Sequence, residues 1–63
     1  MSSATARFLG KLLEGAEENI KAINIHLVSE PPDTSEQILI LRELQEAYRK
    51  HCVNLRAAIR AFE

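Results

Sequence analysis

The side chains best equipped for chemistry in this chain are four arginines, Arg42, Arg49, Arg56 and Arg60. Their offsets of seven, seven and four residues place them in one narrow band of a helix. From Ala47 to Phe62 there is no acid, while Arg49, Lys50, Arg56 and Arg60 are all basic. Guanidinium groups make two-point contacts with carboxylates and phosphates, so the stripe suits docking to an acidic protein or to nucleic acid. No aromatic side chain interleaves with the arginines, which counts against single-strand binding by stacking. The plainer reading is a solvated outer face. Cations are favoured near a helix C-terminus, and Arg42, Glu46, Arg49 and Lys50 are spaced as ordinary intrahelical pairs. The plainer reading carries more weight here.

A second candidate is the His51-Cys52 pair, because a nucleophilic thiolate needs a base close by. Neighbouring residues on a helix point about 100° apart, so these two side chains do not readily hydrogen-bond. Cys52 also falls on an apolar stripe, where a lone cysteine behaves as a small hydrophobe. His26 stands alone late in the first half of the chain and reads as a C-terminal cation rather than a ligand. Tyr48 reads as a core residue with its hydroxyl at the rim. The sequence contains no nucleophile–base–orienter set, paired-carboxylate site, glycine-rich phosphate loop or zinc spacing. No enzymatic activity, metal, cofactor or small-molecule substrate is expected.

The elements that must carry these residues are set by one piece of punctuation, Ser29-Glu30-Pro31-Pro32-Asp33-Thr34. Two prolines in succession break a helix, and the residue before a proline avoids helical angles. Before the break, Ala6, Leu9, Leu13, Ala16, Ile20, Ile23 and Leu27 repeat at spacings of three and four. After it, Ile38, Leu41, Leu44, Tyr48, Cys52, Leu55, Ile59 and Phe62 do nearly the same. Both patterns are apolar stripes with the period of a helical-bundle seam. Thr34 with Gln37, or Asp33 with Glu36, supplies the cap of the second helix. The expected layout is a first helix over about 4–28, a turn over 29–34 and a second helix over about 35–62. Gly10 and Gly15 each cost about 1 kcal/mol in a helix interior, so fraying or a late start of the first helix is expected. Antiparallel folding about the prolines would bring Glu14 near Arg49.

The fold class is therefore all-α, an antiparallel two-helix hairpin. A hairpin alone does not account for every apolar residue. Phe8, Leu12, Ile25 and Val28 lie off the first stripe, and Ile38-Leu39-Ile40-Leu41 wraps a whole helical turn of the second. Ala47, Ala57, Ala58 and Ala61 are small enough to let another helix approach. Contiguous apolar surface of this kind marks interaction sites. Phe8, Leu12, Ile25, Ile38, Leu39 and Ile40 are the expected apolar contacts. Arg42, Arg49, Arg56 and Arg60 are the candidate basic ones.

Length and charge agree with this reading. Sixty-three residues make one domain, and chains of this size are marginal without a disulfide, a metal or association. One cysteine forbids an internal disulfide. Association remains, most simply as a homodimer completing a four-helix bundle, or with helices of another protein. A net charge of −1 gives no general attraction for nucleic acid or anionic membrane. The opening thirteen residues are hydroxyl-rich, amphipathic and free of acids, as in an organelle transit peptide, but their pattern continues unbroken past Glu14. They read as the first turns of a helix in a cytoplasmic protein. The expected role is a protein–protein interaction module (adaptor, chaperone or regulatory subunit). A dimeric nucleic-acid-binding regulator using the arginine stripe is the alternative.

Overall fold

The computed structural model describes residues 3–63. It contains two helices, α1 (Ala4–Ser29) and α2 (Ser35–Phe62), packed against each other. Hydrogen bonds join the later part of α1 to the earlier part of α2, and an ion pair joins Glu17 to Arg56. The helices therefore run antiparallel.

Each boundary has a local cause. Ser3 opens α1 by accepting the Ala6 N–H on its hydroxyl at 3.0 Å, which satisfies one of the unpaired donors of the first turn. The late start expected from Gly10 and Gly15 does not occur, since α1 is continuous from Ala4. Packing of the apolar stripe outweighs two local propensity penalties. Met1 and Ser2, the first residues of the transit-peptide-like segment, lie outside the described residues, and the rest of that segment continues directly into α1. At the other end, the Ser29 hydroxyl donates to the Ile25 carbonyl at 2.8 Å, and the Glu30 N–H donates to the His26 carbonyl. Pro31 and Pro32 then stop the helix. Of the two caps available to α2, Thr34 is the one used, accepting the Gln37 N–H at 3.2 Å.

All seven stripe residues of α1 are buried or half-buried. In α2 one expected position changes. The seam runs through Ile38, Leu41, Gln45, Tyr48, Cys52, Leu55 and Ile59. Gln45 is completely buried, and Leu44, expected in the seam, is 46% exposed. Spacings of three and four that alternate strictly, as they do in α1, lead from Leu41 to Gln45 and not to Leu44. Geometry decides the interior position over hydrophobicity, and the amide is accommodated by hydrogen bonds described below. Phe62 continues the seam but is half exposed at the end of α2.

The molecule measures 48 × 17 × 10 Å. Its long axis is little more than the roughly 42 Å of α2 alone. The radius of gyration is 14.6 Å, against about 11 Å for a compact domain of this length. Its surface of 4866 Å² exceeds the roughly 4,100 Å² usual for a folded monomer of this mass. Two helices side by side make a single layer, and a single layer can bury only one stripe of each.

Candidate interaction surface

With the seam residues at heptad positions a and d, the remaining residues fall on defined sides of the hairpin. In an antiparallel pair the two e positions lie on one flank of the seam and the two g positions on the other. The e flank carries Glu17 and Asn24 from α1 and Arg42, Arg49 and Arg56 from α2. Three of the four stripe arginines thus line one flank, and Arg60 lies one position further round, at b.

These three guanidinium groups are engaged within the hairpin. Arg42 Nη1 donates to Asn24 Oδ1 at 3.1 Å and to Gln45 Oε1 at 2.9 Å. Gln45 Nε2 in turn donates to Asn24 Oδ1 at 2.7 Å and to the Ile20 carbonyl at 3.1 Å. The network closes around the buried amide, and among the described residues no buried side-chain polar atom lacks a partner. Arg56 pairs with Glu17 at 3.2 Å across the helices, and Arg49 pairs with Glu46 at 3.6 Å along α2. The expected approach of Glu14 to Arg49 is replaced by these two pairs. Glu17 takes its cross-helix partner from Arg56, whose long side chain spans the gap between the helices. Both pairs are about half exposed, so each is worth about 0–1 kcal/mol.

Below the arginines runs an open furrow of about 420 Å³, lined by Glu17, Ile20, Lys21, Arg49, Cys52, Val53 and Arg56. Cys52 sits at its base, is 3% exposed and is free of any disulfide. His51 is exposed on another side of the helix, as the sequence requires of adjacent helical residues. Among the described residues no group of three or more His, Cys, Asp or Glu side chains is placed to hold a metal ion.

The expected apolar contacts divide unevenly. Phe8, Leu12, Ile25, Leu39 and Ile40 are exposed, the last two equally at 57%, whereas Ile38 is half-buried in the seam. Val28, off the first stripe, is also exposed and reaches 86%, as is Val53 on the charged side of α2, and the structure adds Leu44 and Phe62, both expected in the second stripe. Leu44 was hidden from sequence reading by its assignment to the core. No helix among the described residues is long and apolar enough to cross a membrane. Comparison of the chain with protein-family models, curated proteins and solved structures finds no match. What defines the molecule is its own geometry, a helical hairpin with uncovered apolar sides.

Proposed function

We propose that this chain is a small helical protein–protein interaction module, an adaptor, chaperone or regulatory subunit, that works through the apolar surface its hairpin leaves open. The observation that carries the reading is the exposure of large apolar side chains along both helices, from Phe8 and Leu12 to Leu39, Ile40 and Leu44. Isolated surface leucines are ordinary, but so many on a single-layer molecule leave apolar area that a second helical layer would cover. Docking of amphipathic helices onto such a surface buries their apolar stripe in the same way that α1 and α2 bury each other's. Pairing with another helical hairpin would give a four-helix bundle.

The nucleic-acid alternative needs guanidinium groups turned to phosphates; Arg42 is tied to Asn24 and Gln45, and Arg49 and Arg56 would first give up weak pairs with Glu46 and Glu17, which favours the protein-binding reading. Salt dependence separates the two. Binding to a partner purified from the native cell should change little with salt and should weaken when Leu39→Glu and Ile40→Asp are made together. Binding to short RNA or DNA would instead fall steeply with salt and with Arg49, Arg56 and Arg60 changed to Ala. The second outcome would sink the module reading.

A further inference from the structure

The flank opposite the arginines has a composition unlike the rest of the molecule. On α1 it runs through Phe8, Leu12, Gly15, Asn19, Ala22 and His26, at alternating spacings of four and three. On α2 the same positions are Ile40, Leu44, Ala47, His51, Asn54 and Ala58. The next positions outward are Thr5 and Ser29 on α1 and Gln37 and Ala61 on α2, all uncharged. The chain has 8 basic and 9 acidic residues, and every one lies on the arginine flank, on the outer edges of the helices, in the turn or at the C-terminus. The only ionisable side chains on this side are His26 and His51.

The large side chains on this face are not spread evenly. Phe8 and Leu12 occupy the corner where α1 nears the open end of the hairpin. Ile40 and Leu44 occupy the diagonally opposite corner, where α2 leaves the turn. The other two corners hold smaller or polar residues, Ala22, His26 and Ser29 on α1 and Asn54, Ala58 and Ala61 on α2. A two-fold axis lying in the plane of the face, along or across the helices, carries each bulky corner of one molecule onto a small corner of its mate. Larger side chains of one copy thus lie over smaller or polar ones of its mate, and with no Asp, Glu, Lys or Arg on the face none of these meets its like across the axis.

We infer that this uncharged face seats a second copy of the chain, forming a two-fold four-helix bundle with the arginine flanks turned outward. The inference rests on the interaction-module reading and names its partner. The broad side of the hairpin measures 48 by 17 Å. As a projected outline that is about 800 Å², enough for a second hairpin to lie along the whole face, where a stable interface of ordinary size takes about 800 Å² of accessible surface from each partner.

Leu39 and Ile40 supply the test, because they are adjacent, equally exposed and on opposite sides of the hairpin. Analytical ultracentrifugation of the whole chain should show a dimer. Ile40→Glu should raise the dimer dissociation constant about 100-fold or more by burying an unpaired charge. Leu39→Glu should change it by less than about 3-fold. Should Ile40→Glu unfold, Ala22→Trp decides, because Ala22 is exposed and the hairpin has room for the larger side chain. It should weaken dimerisation about 10-fold or more with helicity retained, and an unaffected dimer would count against the face. A monomeric wild type overturns the second copy as occupant and leaves the module reading to its own binding test. Equal dissociation by both glutamates, or by neither, overturns the face.

Discussion

Gln45 is the residue on which the pairing of the helices turns. Its amide occupies an interior seam position, and both of its polar atoms are satisfied by Asn24, Arg42 and the Ile20 carbonyl. A polar side chain in an apolar seam contributes less to stability than leucine but penalises every alignment that separates it from its partners. Gln45→Leu should therefore keep or raise the thermal midpoint while loosening the register. The amide spectrum of that variant by NMR should show more than one set of resonances, and a single sharp set with unchanged cross-helix contacts would show that Gln45 does not select the register. Leu44 and Gln45 also mark what was legible in the sequence at this scale. Hydrophobicity chose Leu44 for the core. The strict alternation already evident in α1 would have chosen Gln45, but an amide enters a core only when partners await it, and two of the three here, Asn24 and the Ile20 carbonyl, come from the other helix.

At the scale of the helix, the positions of breaks and caps follow from local chemistry, which is why Pro31-Pro32 and Thr34 could be placed from sequence. The two glycines misled because their cost was judged without the packing that opposes it. A Cβ added at Gly10 or Gly15 meets no atom within 4 Å, so either site accepts alanine in the hairpin. Each replacement should stabilise α1 by about 1 kcal/mol, a rise of several degrees in midpoint for a domain of this size. Gly10 lies on the arginine flank and Gly15 on the uncharged face. Circular dichroism melts of Gly10→Ala should therefore show the gain at every concentration, whereas a gain for Gly15→Ala that shrinks as concentration rises would report a methyl group crowding the dimer. The cross-helix partners of the arginines were less legible. The turn sets the helices' alignment only to within a few residues, and arginine side chains are long enough to choose among acids in that range.

For the whole molecule, the governing fact is that one layer of two helices leaves more surface in water than its mass would normally allow. If the second layer is another copy, stability is shared with association. The melting midpoint should then rise with protein concentration, as it does whenever the folded form is the one that binds. A midpoint constant over a hundredfold range of concentration (about two decades) would mean that the single layer holds itself together. The 100° step of the helix explains why Ile38–Leu41 reads as a girdle in the sequence while Ile38 and Leu41 enter the seam and Leu39 and Ile40 fall on its two flanks. Leu39 and Ile40 are consecutive in the chain, yet their side chains point about 100° apart, one to each flank.

The antiparallel course of α1 and α2 has one more consequence. It brings the described ends, Ser3 and Glu63, to the same end of the hairpin, far from the prolines. The seam depends on which faces meet and hardly at all on which helix is made first. A circular permutant that joins these ends through a short flexible linker and opens the chain between Pro31 and Pro32 would keep every seam residue in place. It would also move the free termini to the other end of the molecule.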